Sequence, residues 1–199
     1  MTTSKAEQTK AYILEKVAPV FNTKGYIATS LSDLTSATGL TKGAIYCHYE
    51  NKEDLAVHAY KLMIKNVLRP LIDQMRCEES AADKLSALTA YYRNYRERAR
   101  LYGGCPILNI GMDAHHNNQA LYELARNVSA RLEGDLVAIL DEAVAEGYLI
   151  ADTDTKEVAG KVFSMIEGGI FMSTLHHKGS YLKHMTVEVD EMIARYKRE

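Results

Sequence analysis

Apolar positions at helical spacing open this chain. Ile13, Leu14, Val17 and Phe21 predict a helix over residues 5–24, with Gly25 just beyond it. Pro19 lies inside that pattern, where a proline kinks or breaks a helix. Leu31 and Leu34 give the next, shorter helix a single apolar stripe. Ser30 ahead of it and Asp33 at its third position have the spacing of a capping box, and Gly39 stands where a left-handed residue closes a helix. Thr41 then opens another short helix carrying Lys42, Tyr46 and His48. Asn51 with Asp54 marks the cap of a fourth, expected from about Lys52 to Arg76 around an internal Pro70.

The remaining pattern predicts helices near 80–101, 106–115, 118–147, 154–176 and 181–198, for an all-α fold of about nine helices. Asp154 with Glu157 repeats the capping-box spacing at the fourth of these. In the last, Leu182, Met185, Val189, Met192 and Tyr196 recur at steps of three and four, a narrow seam. The preceding helix carries Val158, Val162, Met165, Gly169 and Met172 at the same steps. Such seams serve either a four-helix bundle between two subunits or packing within one subunit, and periodicity alone does not choose.

Composition narrows this picture. The chain has 199 residues, of which 47% are hydrophobic, enough for one large domain or two small ones sharing a core. Three prolines and no tryptophan suit helices. No apolar stretch reaches the ~18 residues that span a bilayer, and no signal-peptide pattern opens the sequence. Cys47, Cys77 and Cys105 are odd in number and widely spaced, which argues against a disulfide framework and against zinc. A reduced, cytoplasmic protein is expected. Net charge is −2, yet residues 1–52 hold six lysines against four acidic residues. A mildly basic head therefore sits on an acidic body, which fits contact with a polyanion at one end without being diagnostic of it.

Residues 30–52 have the grammar of a helix-turn-helix, whose second helix enters a DNA major groove. Thr29, Leu31, Leu34, Ala37, Gly39, Leu40, Thr41, Gly43, Ile45, Tyr46, His48, Tyr49, Lys52 and Leu55 match the pattern of the tetracycline-repressor (TetR) family of bacterial transcriptional regulators, which this stretch resembles. Thr35 departs from the usual alanine, and Cys47 stands where a larger polar or aromatic residue is common. The resemblance implies a three-helix DNA-binding head, residues 1–50, and a ligand-binding and dimerisation body, residues 51–199. It also implies a homodimer that reads a palindromic double-stranded operator, most often as a repressor released by a small molecule.

By the same resemblance Thr41, Lys42, Gly43, Tyr46, His48 and Lys52 are the DNA-contact candidates, with Thr29 and Ser30 as further donors to phosphate. Ser30 is equally explained as a cap, Gly43 as a means of avoiding a clash between helices, and Tyr49 as core. No Arg or Asn on the reading helix makes the bidentate pairings that specify guanine or adenine. The resemblance places the dimer on the two terminal seams, at Met165, Gly169, Met172, Leu182, Met185, Val189, Met192 and Tyr196.

For the body, the resemblance implies a small-molecule pocket, and soft apolar or aromatic side chains are its candidates: Tyr91, Tyr95, Met112, Met165, Phe171 and Met172, with Cys105 and Asn109. Core packing is the alternative for each of the apolar ones, and local backbone satisfaction for Asn109. Gly103-Gly104-Cys105-Pro106 predicts a tight turn into a helix, with Pro106 at its first position. A cysteine at a helix start can hold a stabilised thiolate, so a redox- or electrophile-sensing regulator using Cys105 is the second functional reading. Histidines at 115, 116, 176, 177 and 184 have no ligand spacing, so neither metal nor cofactor is expected. No nucleophile elbow, phosphate loop or dinucleotide fingerprint supports an enzyme.

Overall fold

The computed structural model describes residues 4–198; positions 1–3 and 199 of the two expected domains lie outside the described residues. Among those described there are ten helices and no strand. They are α1 (Lys5–Lys24), α2 (Leu31–Thr38), α3 (Lys42–Tyr46), α4 (Lys52–Met75), α5 (Ala81–Arg93), α6 (Tyr95–Arg100), α7 (Pro106–Ala114), α8 (Gln119–Ala145), α9 (Thr155–Leu175) and α10 (Ser180–Ala194). α1 and α4 run unbroken through Pro19 and Pro70. The helix expected over 80–101 is instead two. Asn94 leaves helical geometry at φ −108° and caps α5, in keeping with an amide that competes for backbone hydrogen bonds. The last helix stops at Ala194 rather than 198 because the chain turns back on itself there. Ile150 N–H donates to the Tyr196 carbonyl at 2.8 Å and Arg198 N–H to that of Tyr148 at 3.1 Å.

The helices gather into two compact units. One runs from the amino-terminal helices up to Val67 and takes in Ala99–Asn127; the other comprises Leu68–Arg98 and the chain from Val128 onward. In the first, Ile13, Val17 and Phe21 of α1 are buried with Leu34, Ile45, Leu55, Tyr60, Met63, Ile110 and Leu121. α7 packs on α1. The buried Asn22 amide donates to the carbonyls of Tyr102 at 2.6 Å and Gly104 at 3.0 Å, and Asn109 returns a bond to the Asn22 carbonyl at 3.0 Å. In the second unit α10 packs on α9 and α5. The Lys84 ammonium reaches both Glu142 carboxylate oxygens at 2.7 and 2.8 Å, and Glu146 accepts from Ala81 N–H at 3.0 Å, fastening α5 to the end of α8.

Candidate nucleic-acid interface

Local chemistry fixes α2 and α3 before any packing is counted. Ser30 caps α2 by accepting from Asp33 N–H at 3.1 Å, while the Asp33 carboxylate accepts from Ser30 N–H and Oγ, both at 2.8 Å. Gly39 ends the helix at φ +67°, a left-handed conformation that glycine adopts without a Cβ penalty. Thr41 Oγ1 then accepts from Ala44 N–H at 3.2 Å and opens α3. Leu34 and Ile45 are buried, locking the two helices at one crossing. α1 closes the arrangement: the Tyr12 hydroxyl donates to the Thr38 carbonyl and the Tyr49 hydroxyl to that of Lys10, each at 3.0 Å. Tyr49 is therefore core, and burial pushes its phenol up to about 12. Asn51 caps α4, accepting from Asp54 N–H at 2.9 Å.

What this scaffold presents to solvent is the start of α3. Lys42 and Gly43 are exposed, and Tyr46 and His48 half-exposed. A Cβ built on Gly43 meets nothing within 4 Å, so clash avoidance inside the protein does not account for this glycine. Lys52 stands at the first turn of α4 with its ammonium 4.6 Å from the Tyr26 ring centroid. Burial lowers the Lys52 pKa, partly offset by Asp113 and Asp33. Lys24, by contrast, is held by Asp33 at 2.5 Å, and that bond with the Ser30 cap keeps the Asp33 carboxyl far below the usual carboxylate range. Of the expected contacts, Thr29 is corrected. It is 1% exposed and its hydroxyl donates to the Gly25 carbonyl at 2.6 Å, so it closes the α1–α2 turn instead of facing a ligand. Ser30 is exposed, and its hydroxyl is occupied by the cap.

Comparison with known proteins agrees with this geometry. The family model for bacterial regulatory proteins of the tetR family matches residues 13–59, and that for the tetracyclin repressor-like C-terminal domain matches 81–188. The chain belongs to the tetracycline-repressor family. It is similar to the HTH-type transcriptional regulator LmrA of Bacillus subtilis, 23% identical over 92% of this chain and 95% of that protein. It also resembles AcrR of Shigella flexneri, 35% identical over 33% of this chain and 31% of that one. A TetR-family regulator from Cytophaga hutchinsonii superposes with a TM-score of 0.91 at 30% identity, over all of both chains. The protein is a helix-turn-helix transcriptional regulator, in a family whose members are typically repressors with a ligand-binding carboxy-terminal domain. No helix among the described residues is long and apolar enough to cross a membrane.

The two sets of body residues are arranged differently from expectation. Tyr91, Tyr92 and Tyr95 are buried as one cluster with ring centroids 5.2–5.9 Å apart. The Asn109 amide donates to the Asn22 carbonyl at 3.0 Å and the Gly103 carbonyl at 3.1 Å, the local backbone role. Met112 and Phe171 are exposed, whereas Met165 and Met172 are half-buried. Cys105 is buried at the cap of α7. A thiol sensor needs an accessible sulfur, and the thiol-sensing reading is not favoured. The expected dimer seam is corrected at three positions. Gly169, Leu182 and Val189 are buried inside the subunit, and a Cβ at Gly169 would lie 3.0 Å from Leu182 Cα. Glycine there lets α9 and α10 of one chain approach closely. The apolar groups these helices leave outside are Phe171, 53% exposed, Leu175, 59%, and Val187, 41%. Their signal was the phase of the stripe: Phe171 and Leu175 lie one turn apart on a different face from Gly169.

Proposed function

We propose that this regulator is a repressor that binds a palindromic operator as a homodimer and is released by a small molecule bound in its body. The observation that carries the reading is the open start of α3. Lys42 and an unobstructed Gly43 are exposed, Tyr46 and His48 are half-exposed, and Lys52 forms no ion pair with a carboxylate among the described residues, so this end of the head offers backbone and cations to phosphate. Thr41 and Lys42 approach phosphate at the helix start, Tyr46 and Lys52 anchor the backbone, and His48 reaches phosphate or base edge. The division of labour is residues 1–50 for DNA and 51–199 for ligand and dimer, in the cytoplasm. No catalytic step belongs to this reading.

The exposed apolar face of α9 and α10, with Phe171, Leu175 and Val187, is the proposed contact between subunits, joined by the half-buried Met165, Met172, Met185, Met192 and Tyr196. A dimer places two α3 helices about one turn, ~34–36 Å, or a multiple apart on the duplex. Effector binding would favour a state in which that separation no longer fits. A coupling of about 1–3 kcal/mol would change operator affinity roughly 5–150-fold. The test is an anisotropy titration of DNA flanking the protein's own gene, comparing wild type with a Tyr46→Phe/His48→Ala/Lys52→Ala variant across salt concentrations. Salt-sensitive, site-specific binding lost in the variant is the expected result. Equal binding by both proteins would refute the assignment of these residues.

A further inference from the structure

The head contains a cation whose surroundings are not explained by folding alone. Lys52 is half-buried, its Nζ stands over the Tyr26 ring and 3.5 Å from the Ile27 carbonyl, and among the described residues no carboxylate forms an ion pair with it. An ammonium carries three donors. The ring face and the carbonyl take up one side of it, which leaves a donor for an outside anion. Tyr26 in turn is fixed through its backbone. Its backbone N–H donates to the Asp113 carboxylate at 2.6 Å, and that carboxylate occupies the place of an absent Cβ at Gly25, 2.5 Å from where the atom would be. The Asn118 side chain lies near enough to its phenol to lower the pKa. Asn118 also donates to Glu53 Oε2 at 2.6 Å and caps α8 by accepting from Leu121 N–H at 2.8 Å. Burial, then the charge of Glu53, push the Tyr26 phenol up, so it stays protonated and the ring stays a neutral platform.

We infer that Tyr26 is a positioning residue for DNA binding: its ring holds the Lys52 ammonium at the start of α4, and Asp113 holds the Tyr26 backbone in place. The inference rests on Lys52 meeting phosphate. A free lysine must give up several rotamers to grip a phosphate, whereas one already seated on an aromatic face has given most of them up.

Phosphate contacts are read by salt dependence, not by sequence, so the probe is a mixed-sequence duplex of about three helical turns titrated across ionic strengths. Lys52→Ala is expected to flatten the slope of log affinity against log salt by about 0.9 for each half-site. Tyr26→Leu is expected to weaken binding about 5- to 30-fold over two half-sites and to flatten the slope toward that of Lys52→Ala. Tyr26→Phe keeps the ring and keeps the wild-type slope. The double variant Tyr26→Leu/Lys52→Ala is expected to bind no worse than Lys52→Ala alone, because the ring acts only through the lysine. A Tyr26→Leu slope equal to wild type, or losses that add in full, would overturn the positioning role while leaving Lys52 as an anchor. An unchanged slope for Lys52→Ala itself would instead overturn the anchor, and the inference with it. If Tyr26→Leu does not fold, proton NMR of the wild type decides. Lys52 Hε resonances shifted upfield by the ring, and moving when duplex is added, support the inference, and random-coil shifts refute it.

Discussion

The turn between α2 and α3 and the seam between α9 and α10 were both legible as spacings, yet they differ in how much a spacing determines. At the turn, each residue type has a single physical use. Gly39 adopts a left-handed conformation, Ser30 and Thr41 are caps, and Asn51 caps the next helix. These are local bonds, satisfied within a few residues, so the sequence specifies them without reference to the rest of the molecule. An apolar stripe carries no such address. Leu182 and Val189 need an apolar partner, and the subunit's own α9 serves as well as a second copy would. At Gly169 the space is already filled by Leu182 and Met185 of the same chain, so that position packs within the subunit.

The largest break in this comparison is expected at the exposed face of α9. Phe171→Asp combined with Leu175→Asp should dissociate the proposed dimer and abolish operator binding while leaving helicity intact, as sedimentation equilibrium and circular dichroism would show. If the seam itself were the contact between subunits, these changes would leave the oligomer whole. Truncation of the seam has a different signature. Leu182→Ala removes a fully buried side chain and should cost about 2–5 kcal/mol of stability, lowering the midpoint of calorimetric unfolding by roughly 4–20 °C.

In the head the effects are smaller and separable. Gly43→Ala adds a methyl group into open space and improves helix propensity, so the protein should be no less stable. Operator affinity should nevertheless fall about tenfold or more, some 1.4 kcal/mol, if backbone and DNA approach closely there. Ser30→Ala should cost about 1 kcal/mol of stability through loss of the cap. Smallest of all is a pH effect. The Asp33 carboxyl is held low by Lys24 and by Ser30, so its contribution is complete above the ordinary carboxylate range near pH 4 and is lost as pH falls through and below it. Asp33→Asn should therefore flatten the acid limb of the unfolding curve and leave its neutral plateau little altered in shape.

The sequence revealed the all-helical class, the capped motif and the exposed α3 face because those depend on residues close in the chain. It did not reveal that Thr29 turns inward, since a hydroxyl that donates to the Gly25 carbonyl and one that faces phosphate have the same spelling. The packing of α7 on α1 was also hidden, because Asn22, Asn109 and Asp113 find backbone partners up to 87 residues away. Their only sequence trace is polar side chains on apolar helices. Asn94 dividing α5 from α6 is a similar case, since one amide in a periodic stretch outweighs the period.

The central claim, that α3 reads DNA as one half of a symmetric pair, is tested most directly by footprinting. Duplexes would be selected from fragmented genomic DNA by wild type and by Gly43→Ala, and the strongest then footprinted with hydroxyl radical. Two protected patches on one face of the duplex, related by a dyad, about one turn or a multiple apart and weakened by Gly43→Ala at equal protein concentration, are the predicted result. Selection of no sequence above bulk DNA, or the same protection by Gly43→Ala, would contradict it.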